Sequence, residues 1–149
     1  MRWLMLDRLE AWEQKGAAVA NKTFPLSDLM FMDHFPGNPL VPGVLQIEMI
    51  AQTAGLCLKL ERPGSTAVLS HVHKARFIRP VRPGDRCRVR AELVSVKTGH
   101  VKAAGSIEIE GKIVAEVEVG LAITATTAAE TESDPLVEEW RRKNGNQHE

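Results

Sequence analysis

Two side chains in this sequence are of types that exchange protons and stand in settings that could use them: His34 and Glu48. Histidine titrates near neutral pH, and a carboxyl group drawn partly out of water can be held protonated. Two such groups in different environments make an acid–base couple, one able to take a proton while the other gives one. His34 lies in the run DHFPGNPLVPG, where Pro36, Gly37, Pro39, Pro42 and Gly43 exclude regular structure and build a shaped loop. Glu48 falls about one and a half turns into the helix expected to follow. Gln52, one turn further, is placed to hydrogen-bond Glu48 rather than to react. A helix starting at Gly43 offers unpaired N–H groups and a positive dipole end, suited to polarising a carbonyl that approaches the bare glycine backbone. The residues alone leave the alternatives open: a hydrogen-bonded loop histidine, and a glutamate paired with an arginine across an interface.

The elements that must position these groups are legible around them. No proline interrupts the chain for about five helical turns after Pro42, and Leu, Met, Gln, Glu and Ala dominate, which predicts a helix over 42–60. Val44, Leu45, Ile47, Met49, Ile50, Ala51, Ala54, Leu56, Cys57 and Leu58 do not fit one narrow stripe, so the helix belongs in a core. Glu48 and Gln52 at its middle, and its length, exclude a membrane span. Before it, residues 3–12 and 17–24 read as a hairpin turning at Gln14-Lys15-Gly16, and Ser27 and Asp28 cap a short turn in an irregular approach over 25–33. After the break at Arg62-Pro63-Gly64-Ser65, strands are expected over 67–78, 86–96, 100–109 and 112–124. Cys87, Val89, Ala91 and Leu93 alternate with Arg86, Arg88, Arg90 and Glu92; Ile113, Ala115, Val117 and Val119 alternate with Val114, Glu116 and Glu118. The fold class is therefore α+β, with about five or six antiparallel strands curled around one long helix. Such a sheet covers only part of so apolar a helix, so two sheets joined edge to edge in a dimer are expected.

Composition sets the frame. With 149 residues, 44% hydrophobic and 26% charged, the chain is one globular domain, placed at 1–125, followed by a tail over 126–149. The tail is expected to be peripheral, with a short helix capped by Ser133 or Asp134 and Pro135 at its first position. A formal net charge of zero argues against a nucleic-acid binder. Cys57 and Cys87 follow no disulfide or metal spacing. The opening MRWLMLDRLEAWE becomes charged too early for a signal peptide, which points to the cytoplasm. His71 and His73 alternate onto one strand face, but with His34 they give no convergent ligand set.

The run HFPGNPLVPGVLQIEMIAQ resembles the signature of the FabZ/FabA-type 3-hydroxyacyl-acyl-carrier-protein dehydratases, H-F-P-G-x-P-x-x-P-G-V-L-x-x-E-x-x-A-Q, and fills every fixed position. Leu6-Asp7-Arg8 and the run from Ala75 to Asp85 extend the likeness, which covers roughly residues 4 to 124. The resemblance implies a hotdog fold, the helix wrapped by the sheet, and a homodimer (or a larger assembly of dimers) with its sites at the interface. It implies that His34 of one chain removes the proton alpha to a thioester, Glu48 of the other protonates the departing 3-hydroxyl, and the Gly43 N–H holds the thioester carbonyl. Glutamate rather than aspartate points to the FabZ-like branch, and neither metal nor organic cofactor is implied. The implied partner is acyl carrier protein bearing a phosphopantetheine-linked acyl chain. Residues 74–90 hold seven Lys/Arg and one acid, Asp85. Arg76, Arg79 and Arg82 are the candidates for carrier contact.

Departures from the pattern are specific. Asp33 replaces the usual glycine, where it is placed to pair with His34; His71 and His73 stand where the family has a glycine and an acid; no tyrosine is present to gate a tunnel, and the short N-terminal segment usual before the Leu6-Asp7-Arg8 strand is expected to be lacking. Thioester hydrolysis on the same fold, or a non-catalytic acyl-thioester-binding subunit, is the alternative reading.

Overall fold

The structure, a computed structural model, describes residues 3–13, 16–125 and 134–145. Its central element is the expected helix, α2 (Gly43–Glu61), with Pro42 as its N-cap. Leu45, Met49, Ile50, Ala54, Cys57 and Leu58 form its buried side, and buried Thr53 donates its hydroxyl hydrogen to the Met49 carbonyl at 2.8 Å. The helix is not covered all round. Val44 is 72% exposed, and Ile47, Glu48, Gln52, Gly55 and Lys59 are only half-buried, so Glu48 lies on an open stripe rather than in the core.

The covering layer is one antiparallel sheet of six strands, β1 (Arg8–Glu13), β2 (Ala17–Lys22), β3 (Ser65–Phe77), β4 (Cys87–Lys97), β5 (His100–Ile109) and β6 (Lys112–Ala125), in the order β1-β2-β4-β5-β6-β3. The β4 alternation holds: Cys87, Val89 and Ala91 are fully buried against exposed Arg88 and Glu92. Val101, Ala103 and Ile107 of β5, with Val117, Val119 and Leu121 of β6, complete the surface under α2. Helix and sheet approach closely at Gly105, where a Cβ would run into Ile50 and lie 2.7 Å from the Arg90 carbonyl oxygen.

One expected alternation is reversed. Ile113 is 37% exposed and Val114 only 4%. The cause is a bulge: Ala115 pairs with Ile107 but Ile113 with Glu108, so Val114 is the extra residue and the facing switches there. Its carbonyl accepts the N–H groups of Ile78 and Arg79 at 2.8 and 3.2 Å, which fixes the end of β3.

The two sheet edges differ. β3 pairs only with β6, and its thirteen residues expose Val68, Leu69, Val72 and Phe77 along an unpaired edge. The β1 edge is covered by α3 (Pro135–Asn144), whose Leu136 and Val137 join the core and whose Trp140 meets Trp12 edge-on at 6.0 Å. The expected peripheral tail therefore includes a packed helix. Asp134 is its cap, accepting the Leu136 N–H at 3.0 Å. The alternative cap, Ser133, lies outside the described residues, as do Gln14 and Lys15 of the expected hairpin turn.

Candidate active site

His34 is held by its own loop. Asp28 accepts the Met30 N–H at 3.1 Å and starts a single helical turn, α1 (Met30–Asp33), whose first carbonyl accepts the His34 N–H at 2.9 Å. Pro36 and Gly37 then reverse the chain, with Phe35 and Asn38 exchanging both backbone hydrogen bonds at 3.1 and 2.9 Å. The Leu40 N–H donates to the His34 carbonyl at 3.0 Å, and the Leu40 carbonyl lies 3.1 Å from His34 Nδ1. A carbonyl only accepts, so Nδ1 carries the hydrogen and the neutral ring keeps its lone pair on Nε2. The Phe35 ring stacks on the imidazole at 3.9 Å, across a cis His34–Phe35 peptide bond. Asp33 is exposed, and among the described residues no hydrogen bond or ion pair joins it to His34.

Glu48 is positioned by Gln52. Gln52 Oε1 accepts the Met5 N–H at 2.9 Å, which turns its Nε2 toward Glu48 Oε1 at 2.9 Å and the Trp3 carbonyl at 2.7 Å. Glu48 Oε2 makes no hydrogen bond among the described residues. Glu48 lines a groove of about 560 Å³ beside the uncovered stripe of α2, and the ion pair of Lys59 with Asp134 belongs to the same lining. His34 does not line this groove, and among the described residues no hydrogen bond or ion pair joins it to Glu48.

The start of α2 has no side-chain cap. The N–H groups of Leu45 and Gln46 reach the Pro42 carbonyl at 3.1 and 3.3 Å; those of Gly43 and Val44 have no partner among the described residues. A Cβ on Gly43 would lie 2.9 Å from Phe77 Cζ, so this glycine admits the Phe77 ring as well as leaving its N–H open.

The three arginines are all exposed. Arg76 lies 3.8 Å from Glu116, the Arg79 N–H meets the Val114 carbonyl, and Arg82 donates to Asn38 of the His34 loop at 2.9 Å. The Val41 N–H bond to the Val81 carbonyl, 2.8 Å, ties that loop to the arginine segment a second time. His71 and His73 stack at 5.7 Å, with His100 6.2 Å from His71. Sequence reasoning missed the Leu40 carbonyl, the contacts of Trp3 and Met5 with Gln52, and the bond of Asp134 to Lys59. The run of turn residues that shapes the loop was the only signal for the first.

Both cysteines are free and buried, a setting that disfavours the nucleophilic thiolate. Both thiols are pushed up to about 12, by burial first and then by Glu61 and Glu13 at Cys57, and by Asp85 and Asp7 at Cys87. Alkylation at pH 8 should therefore run at least about a hundredfold slower in the native protein than in the unfolded chain. Unfolded thiols ionise near 9 while the folded ones hold their protons to about 12. The unfolded state thus binds fewer protons across that window, and stability that is full below about pH 9 should decline from there upward. Thiol titration and alkaline denaturation curves check both.

A family model for ApeI-like dehydratases (ApeI dehydratase) matches residues 10–115. The chain is 35% identical over 128 residues to the 3-hydroxyacyl-[acyl-carrier-protein] dehydratase FabZ of Caulobacter sp. (strain K31), covering 83% of this chain and 78% of that protein. It is 36% identical over 127 residues to the protein of the same description from Acetivibrio thermocellus, covering 83% and 86%. Among solved structures, one chain of the dehydratase heterocomplex ApeI:P from Xenorhabdus doucetiae superposes with a TM-score of 0.60 at 22% identity, over 76% of this chain and 96% of that one. A Streptococcus mutans protein bound to acetyl CoA gives 0.66 at 13% identity, over 85% and 94%. At these identities the solved structures speak for the fold.

Proposed function

This chain belongs to the family of ApeI- and FabZ-type dehydratases and has the hotdog fold, and on that premise we propose that it converts (3R)-hydroxyacyl thioesters on acyl carrier protein to trans-2-enoyl thioesters. The observation that carries this reading is the clamp on His34. With Nδ1–H committed to the Leu40 carbonyl, Nε2 is a fixed base with a free lone pair. It takes the proton from the carbon alpha to the thioester. The thioester carbonyl gathers negative charge as that proton leaves, and the open Gly43 N–H at the positive end of α2 stabilises it. Glu48 supplies the second proton. Because Gln52 occupies Oε1, the proton sits on Oε2 and passes to the 3-hydroxyl, which departs as water while the C2–C3 double bond forms. One proton is taken and one given, so the step balances with these two groups.

Glu48 and His34 meet in this reading across two chains. The separation of His34 from the Glu48 groove, and the long apolar edge of β3, both favour a homodimer joined along β3. Arg82 touches the His34 loop through Asn38, and exposed Arg76 and Arg79 precede it in the chain, a set of cations that suits an acidic carrier protein and the phosphate of its prosthetic arm. The test is the product. Purified protein given 3-hydroxyacyl carrier-protein thioesters should generate the enoyl absorbance without releasing free thiol; thiol release without enoyl product would replace this reading with hydrolysis.

A further inference from the structure

We propose, resting on the dehydratase reading above, that Gln46 is a positioning residue, which aims the Gly43 N–H at the thioester carbonyl by holding the two carbonyls that precede it. Gln46 is only 3% exposed. Thr53, the other buried polar residue among those described, bonds within its own helix, whereas Gln46 reaches out of α2. Its Nε2 donates to the Val41 carbonyl at 3.2 Å. A carbonyl only accepts, so the nitrogen end of the amide must face Val41. Oε1 is then left buried, with no hydrogen-bond partner among the described residues. An apolar side chain of the same length would carry no such cost, and the Val41 bond is what the amide contributes against it.

The Val41 carbonyl needs a donor from outside the helical ladder. That ladder begins at the Pro42 carbonyl, which accepts the Leu45 and Gln46 N–H groups at 3.1 and 3.3 Å. Among the described residues no backbone N–H of α2 turns back as far as Val41. Gln46 therefore holds both carbonyls, that of Pro42 with its backbone and that of Val41 with its side chain. The Val41 N–H is fastened too, to the Val81 carbonyl at 2.8 Å. Between these anchors Pro42 stands at φ −55° and ψ 139°, the first angle fixed by its ring. What remains is the rotation of the peptide unit joining Pro42 to Gly43. That unit is planar and trans, so its N–H points opposite to its carbonyl. With the carbonyl drawn into the helix, the Gly43 N–H is aimed out of the helix start. The Phe77 ring closes another side of the glycine, 2.9 Å from where a Cβ would stand. A donor stabilises developing charge only when it is oriented beforehand, and here the orientation comes from a side chain three residues further along.

The test compares wild type with Gln46→Met and Gln46→Leu, which fill the core and remove the donor. One measurement is steady-state kinetics with a 3-hydroxyacyl carrier-protein thioester. The other is calorimetric affinity for an unreactive ketone analogue of hexanoyl pantetheine, with a methylene in place of the sulfur, beside the same compound lacking the carbonyl oxygen. Wild type should bind the ketone about fivefold tighter, the scale of one net hydrogen bond. Both variants should stay folded by circular dichroism and lose most of that preference. Their kcat should fall by about tenfold or more, further than KM rises, because a misaimed donor is missed most where the oxygen carries most charge. Folded variants that keep the preference, or whose loss is confined to KM, would overturn the role of Gln46. So would the loss of folding in both, which would make it a residue of the core alone. A wild type blind to the carbonyl oxygen would overturn the Gly43 contact that Gln46 serves, with dehydration by His34 and Glu48 left standing. A preference present in wild type and lost in the variants, without any enoyl product, would keep the role of Gln46 and remove the dehydratase reading.

Discussion

His34→Ala and Glu48→Gln should each lower dehydration by at least about a hundredfold, the usual scale for removing a general base or acid. Neither change should unfold the protein. His34 is a half-buried loop residue whose backbone bonds to Met30 and Leu40 do not need the ring. Glutamine at 48 keeps the volume of the side chain and an oxygen that can accept from Gln52 Nε2, while losing the proton that Oε2 would deliver. Steady-state rates beside far-UV circular dichroism separate chemistry from folding. A variant that stays folded and keeps more than about a tenth of wild-type activity would remove its residue from the acid–base couple.

Mixing the two inactive variants should restore activity. If each site takes His34 from one chain and Glu48 from the other, a heterodimer of His34→Ala with Glu48→Gln holds one fully wild-type site and one doubly altered site. Random reassembly makes about half of the dimers hetero, so activity should return to about one quarter of wild type where subunits exchange and sites work independently. The measurement is activity after co-refolding, alongside a two-tag purification that proves heterodimers have formed. Heterodimers without recovery would put both groups in one chain's site, or outside the chemistry.

Much of this architecture could be read from the sequence because the signals were local. Prolines and glycines over 36–43 mark a loop whatever surrounds it, and a nineteen-residue stretch without proline and rich in helix formers marks a helix. The strands followed from alternation until Ile113 and Val114, where a bulge set by the pairing of β5 with β6 inverted the pattern. Nothing in either strand alone announces that shift. Asp134 illustrates the same limit at longer range. Its capping role was visible from Pro135 beside it, but its bond to Lys59 joins residues seventy-five positions apart and depends on where α3 docks. The proton on His34 Nδ1 was equally hidden, since a bend six residues long decides which carbonyl the ring meets.

If the proposed homodimer forms along β3, the bare outer edge of that strand also bears on the time between synthesis and pairing. Thirteen residues of strand with half their backbone groups unpaired form a template that any extended chain can complete, and Val68, Leu69 and Val72 make that docking adhesive. Lys74 and Arg76 further along the same strand act as gatekeepers, since a second copy stacked in parallel register would set like charges against each other. An antiparallel partner escapes that repulsion by offsetting the charged ends. In the proposed homodimer the edge would thus favour the antiparallel orientation of its own copy over the stacked alternatives, and a subunit without its partner would be the species open to misassembly.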